Sequence, residues 1–251
     1  MTRPDAVVMP WLFPCEPMTD HAPQALAAIH QRIDAAARQC ARAPGSVTLL
    51  AVSKTFPAED IRLFHAAGQR AFGENYVQEF AGKVDALADL ADLEWHFIGP
   101  LQRNKTRVVA EHAHWVHAID RLLIAERLSL QRPNEMPALN VCIQINVSGE
   151  DSKSGITAAQ APALAQAIAA LPGIKLRGLM CIPEPTQDQA ELGRQFTQMQ
   201  DLLNTLNAQG LALDTLSMGM SADLEQAVAH GATLVRIGTA LFGARPAKST
   251  A

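Results

Sequence analysis

The chain has 251 residues, nearly half of them apolar, which is enough core for one α/β barrel and too much for one small domain. A net charge of −4 and an isoelectric point of about 6.0 exclude the basic surface expected of a nucleic-acid-binding domain. No apolar run approaches the about 18 residues of a membrane span, and no signal-peptide order is present. The four cysteines, Cys15, Cys40, Cys142 and Cys181, lack metal-site or redox-motif spacing, so they read as reduced thiols of a cytoplasmic protein.

Residues 1–17, MTRPDAVVMPWLFPCEP, carry four prolines and no periodicity. We expect a disordered extension there, or a natural start at Met18. A helix is expected over 23–41, with Leu26, Ile29, Ile33 and Ala37 at three-to-four spacing. Beyond it, short apolar runs alternate with amphipathic segments. Strands are expected near 47–53, 70–73, 94–98, 114–118, 138–146, 175–181, 213–217 and 233–237. Helices are expected near 57–67, 75–90, 103–111, 120–131, 157–170, 186–209 and 221–230, with a short one near 239–243. The alternation predicts parallel βαβ units. An open doubly wound sheet is the alternative, but it needs a Gly-rich turn after the first strand, and SKTFPAED has no glycine. The pattern therefore predicts a single (β/α)8 TIM-type barrel over 18–246, with an additional N-terminal helix and a tail at 247–251.

Barrel sites lie at the C-terminal strand ends. The first strand ends at Lys54, the second at Glu74 and Asn75, and the third at His96, Gly99 and Gln102. The fifth leads into Asn146 and Lys153. The seventh gives SMGMSADLEQAV, in which Ser221 reads as a helix N-cap. The eighth gives RIGT, with Arg236, Gly238 and Thr239. Loops after strands seven and eight commonly hold phosphate in barrels, and helix starts favour anions. An amine on strand one facing such a cradle points to pyridoxal 5′-phosphate, which binds as a lysine Schiff base.

The motifs AVSKT, FGENYVQE, WHFIGPLQRNK, INVSGEDSKSGI, LRGLMCIP, LSMGMSADLEQAV and VRIGTALFGAR span 47–245. In them the sequence resembles the YggS/PROSC group, the pyridoxal-phosphate homeostasis proteins, whose barrel is similar to the N-terminal domain of alanine racemase. The resemblance implies that Lys54 carries the cofactor and that Arg236 faces the ring nitrogen. It places Ser221, Gly238 and Thr239 at the phosphate and gives Lys153 a part in cofactor handling. Asn75 is a candidate ring contact. It further implies binding, storage or delivery of pyridoxal phosphate with little or no catalysis; apo pyridoxal-phosphate enzymes are candidate recipients, and a monomer is expected.

An arginine at the ring nitrogen cannot accept the proton that makes the ring a strong electron sink. The alternative reading, an amino-acid racemase or other small pyridoxal-phosphate enzyme, needs a second acid/base group. In alanine racemase this is a tyrosine from a second domain. Here the sole tyrosine is Tyr76, and the chain ends soon after strand eight. His112, His114 and His117 invite a metal reading, with His112 and His114 on one strand face, but no fourth ligand is evident. Cys181 reads as a core thiol.

Overall fold

The computed structural model describes residues 18–149, 154–184, 186 and 188–244. The expectations for 1–17, for Lys153 and for the tail fall outside them. The described residues form eight parallel strands closed into a barrel in chain order. They are β1 (Thr48–Val52), β2 (Ala71–Glu74), β3 (Glu94–Phe97), β4 (Trp115–Ile119), β5 (Leu139–Ile145), β6 (Ile174–Cys181), β7 (Thr215–Ser217) and β8 (Leu234–Ile237). Helix α1 (Met18–Gln39) precedes them. Between and after the strands lie α2 (Ala58–Ala66), α3 (Val77–Ala86), α4 (Thr106–His112), α5 (Leu122–Gln131), α6 (Ala161–Ala169), α7 (Gln189–Ala208), α8 (Leu224–Ala229) and α9 (Thr239–Phe242).

Every expected strand is present. Helix α1 begins five residues upstream of the expected start at Pro23. That proline sits in its second turn, past the unpaired N–H groups of the helix start, and its missing N–H costs α1 one backbone hydrogen bond. The four apolar residues named for this helix are all buried. His112 ends α4 and His114 lies just before β4, so the two do not share a strand face. Among the described residues no group of three or more His, Cys, Asp or Glu could hold a metal, and no helix is long and apolar enough to cross a membrane.

Strand alternation sorts side chains into two shells. Phe72 and Phe97 face outward into the core shared with the helices. Trp95 does the same and meets Phe80 of α3 edge to face at 5.8 Å. Leu50, Val52, Ala71, Ile98 and Leu234 point inward and form an apolar layer inside the barrel. On the β4–β6 side of the interior, Trp115, Ala118, Cys142 and Met180 pack together. Closure pairs β1 with β8, with Ala51 opposite Ile237. The residues that leave these two strands, from Ser53 and from Gly238 onward, are therefore neighbours on one rim.

Candidate functional site

The C-terminal strand ends surround a cavity of about 520 Å³. Lys54, Asn75, Ser221, Arg236, Gly238 and Thr239 all line it, joined by Gln144, Ser154 and Glu184, which the sequence did not single out. Gln144 and Ser154 meet because Ile156 bridges back to the end of β5, its N–H donating to the Gln144 carbonyl at 2.9 Å. Inward parity along strands could have found Gln144. The fold of a polar loop, which brings Ser154, carries no such signal.

Lys54 continues the inward row of Leu50 and Val52. Ser53, one residue earlier, faces outward, and its hydroxyl donates to Glu74 Oε1 at 2.6 Å. Glu74 is fully buried and paired at 2.6 Å with Lys83 of α3. Burial pushes the Glu74 carboxyl up from its ordinary range, while Lys83 and the Ser53 hydroxyl pull it back. The end of β3 can approach β2 here because residue 99 is glycine: a Cβ would sit 2.1 Å from the Asn75 carbonyl oxygen. Gly238 is less tight, its hypothetical Cβ falling 3.3 Å from the Val52 carbonyl oxygen.

Arg236 is buried and anchored from behind. Nη1 donates to the Ser217 carbonyl at 2.6 Å and to Ser217 Oγ at 2.9 Å, and Nη2 donates to the Cys181 carbonyl at 2.7 Å. Burial draws its pKa down from the ordinary guanidinium value. The bonding continues through the interior: Ser217 Oγ lies 2.8 Å from His117 Nδ1, and His117 Nε2 lies 2.9 Å from His96 Nδ1. A guanidinium only donates. With its oxygen accepting from Arg236, the Ser217 hydroxyl can donate to His117 Nδ1, and His117 Nε2–H in that tautomer donates to His96 Nδ1. His96 Nε2 ends the row 3.4 Å from Glu94 Oε1, too poorly aligned for a full hydrogen bond. Burial lowers the pKa of both histidines, and for His117 the neighbouring His96 and Arg236 add to the effect, so both are neutral. The nearby His96 ring, and after it the Trp115 indole donating at 2.6 Å, draw the Glu94 carboxyl below its ordinary range.

His96 is thus an interior residue, stacked on Trp115 at 5.5 Å, and not part of the rim. The sequence missed its pairing with His117. Inward parity on adjacent strands was the signal available.

Ser221 lines the cavity but is not the N-cap. Asp223 holds that position, before α8. Its Oδ1 accepts the Met220 N–H at 2.5 Å, and its own N–H goes to the Met220 carbonyl at 3.2 Å. This closes residues 220–223 into a turn and delays the helix by two residues. Arg32 of α1 braces the turn, donating to the Ser221 carbonyl at 3.1 Å and to both Glu225 oxygens. His21 Nε2 lies 2.7 Å from the Leu241 carbonyl in α9, so α1 supports both loops at this rim.

The family model described as alanine racemase, N-terminal domain, matches residues 25–246. The pyridoxal phosphate homeostasis protein of Pseudomonas aeruginosa is 60% identical over 220 residues, covering 88% of this chain and 94% of its own. That of Escherichia coli K12 is 56% identical over 225 residues, covering 88% and 95%. PipY of Synechococcus elongatus, solved with PLP bound, superposes with a TM-score of 0.77 at 39% identity, covering 88% of this chain and all of its own. An alanine racemase of Clostridium difficile shares the fold alone, with a TM-score of 0.72 at 13% identity, covering 91% of this chain and 58% of its own. By sequence over most of its length and by fold, this chain belongs to the family of pyridoxal phosphate homeostasis proteins.

Proposed function

We propose that this protein binds pyridoxal 5′-phosphate in the 520 Å³ cavity, carries it as a Schiff base on Lys54, and serves intracellular cofactor homeostasis with little or no catalysis. One observation carries the reading. An inward lysine, a buried arginine and the loops after β7 and β8 surround a single cavity, matching the amine, ring-nitrogen and phosphate needs of one ligand. The donor set fits. When bound, this cofactor supplies an aldehyde that condenses with amines and a ring whose electron demand depends on its nitrogen.

The chain's own residues limit that demand. Three hydrogen bonds to Ser217 and Cys181 occupy Arg236, leaving two of its five N–H donors for a ligand. It can offer a hydrogen bond to a ring nitrogen but cannot take a proton from it. The neutral histidines behind Ser217 add no charge that would alter this. Ser221, Gly238 and Thr239 hold the phosphate, with Gly238 keeping the backbone free of a side chain that would crowd Val52. Asn75 contacts the ring from the end of β2. Lys153, between β5 and α6 in the sequence, assists cofactor handling, and apo-enzymes receive the cofactor from a monomeric carrier.

Titration of the protein with pyridoxal phosphate tests the reading. The wild type develops the visible absorbance of a protein Schiff base, and Lys54→Ala does not. No such band in the saturated wild type rejects the assignment. Exchange of amino-acid α-protons in deuterium oxide at about 1 s⁻¹ or faster would place the protein among ordinary enzymes instead. Delivery predicts transfer to an apo-enzyme at a rate that rises with the acceptor's concentration.

A further inference from the structure

The turn that presents Lys54 concentrates three costs. Thr55 adopts φ 70°, a left-handed conformation that a β-branched residue rarely takes. Thr55 Oγ1 is buried without a hydrogen-bond partner, and so is Glu74 Oε2. Strained backbone and orphaned polar atoms persist only where surrounding structure imposes them, and they cluster at functional sites.

The structure that imposes them is a cluster of three ionisable side chains outside the barrel wall. Ser53 is held twice: its hydroxyl donates to Glu74, and its carbonyl accepts from Lys83 Nζ at 2.8 Å. Thr55 is held by its N–H, which donates to Glu79 Oε2 at 2.8 Å. Glu79 and Lys83 lie one turn apart on α3 and are 3.8 Å from each other. Lys83 pairs in turn with Glu74 on β2. The residues immediately before and after Lys54 are therefore fixed to one set of charges, while Lys54 itself faces the cavity on the other side of the wall.

We propose that Glu79, acting with Lys83 and Glu74, is a positioning residue for Lys54. The cluster clamps the backbone on both sides of the lysine and so sets the height and angle at which its amine meets the aldehyde carbon. This rests on the reading that Lys54 bonds the cofactor. It concerns the condensation alone: the amine nitrogen bonds to the aldehyde carbon, and the aldehyde oxygen leaves as water with the two amine protons. The phosphate contacts lie after β7 and β8, and a ligand without the aldehyde needs no approach by the Lys54 amine.

The test compares pyridoxal phosphate with pyridoxine 5′-phosphate, which has the same ring and phosphate but an alcohol that no amine can capture. Wild type, Glu79→Ala and Glu79→Gln are titrated with each, and the melting temperature of each ligand-free protein checks the fold. Glu79 keeps about a third of its side chain exposed, so truncation leaves the core closed. Glu79→Ala is expected to weaken pyridoxal phosphate binding about tenfold, the loss of one charge-assisted hydrogen bond. Its affinity for pyridoxine phosphate stays at the wild-type value. Glu79→Gln, whose amide oxygen can still accept the Thr55 N–H, recovers most of the loss. Equal weakening of both ligands, or no weakening of either, overturns the proposal. A wild type without a Lys54-dependent band instead overturns the underlying reading, and that result is seen before any Glu79 variant is made.

Discussion

Replacing Lys83 by methionine probes the buried cluster with little change of volume. Glu74 has no exposed side-chain surface and Lys83 only 8%. The substitution removes the 2.6 Å ion pair and the 2.8 Å bond to the Ser53 carbonyl, and it leaves a carboxyl in the wall with the Ser53 hydroxyl as its hydrogen-bonding partner. Breaking a buried pair from one side costs about 3–5 kcal/mol, because the surviving group must stay desolvated. With a urea slope of about 3 kcal/mol/M, a loss of about 4 kcal/mol moves the unfolding midpoint down by about 1.3 M. The sign with pH follows from Glu74. Burial already raises its folded pKa above the ordinary 4.5, and without Lys83 the rise is larger. A folded group that binds protons more tightly than the unfolded one loses stability as pH rises between the two values. The deficit against wild type should therefore grow from pH 4.5 to neutrality and shrink on acidification. Glu74→Gln in the Lys83→Met background removes the stranded charge and should recover a large part of the loss. Urea denaturation read by circular dichroism decides this. A midpoint shift below about 0.3 M at neutral pH, roughly a quarter of the expected shift, would refute the reasoning.

Gly99→Ala should destabilise the fold by about 1–3 kcal/mol and weaken cofactor binding, since its Cβ must displace the Asn75 backbone at 2.1 Å; thermal melts and a pyridoxal phosphate titration check both. Stability should fall as pH drops below 6.5, because the unfolded histidines protonate while buried His96 and His117 resist it. His117→Asn should flatten that limb in urea denaturation measured against pH. A second acid limb should follow below 4.5 as Glu94 loses its lowered pKa, and Glu94→Gln should remove it. Cys142 and Cys181, buried and pushed up to about 12, should resist alkylation at pH 8 while Cys40 reacts, as read by mass spectrometry of the folded protein.

The barrel was legible because each strand is a short apolar run followed by an amphipathic segment, a local pattern that long-range packing reinforces. The site was legible because barrel closure puts the ends of β1 and β8 side by side, which turns distant motifs such as AVSKT and RIGT into one rim. Local geometry that depends on a single competing bond was less legible. Ser221 looks like a helix cap, but Asp223 outcompetes it by bonding back to Met220. Pro23 looks like a helix start, but α1 begins earlier. The Arg236–Ser217–His117–His96 row joins residues up to 140 positions apart on β8, β7, β4 and β3, and no spacing rule connects them. Strand parity would have shown that His96 and His117 face inward, though not that they touch. The Glu79–Lys83 pair was visible only as ordinary i,i+4 helix charges. Its contact with the turn around Lys54 belongs to tertiary structure alone.

Borohydride reduction of the cofactor-loaded protein, followed by peptide mapping, tests the central assignment most directly. Reduction fixes whichever amine holds the aldehyde as a stable secondary amine. The account predicts a pyridoxyl-phosphate adduct on the peptide containing Lys54, lost in Lys54→Ala. A dominant adduct on any other lysine, or none in a fully loaded wild type, would contradict it.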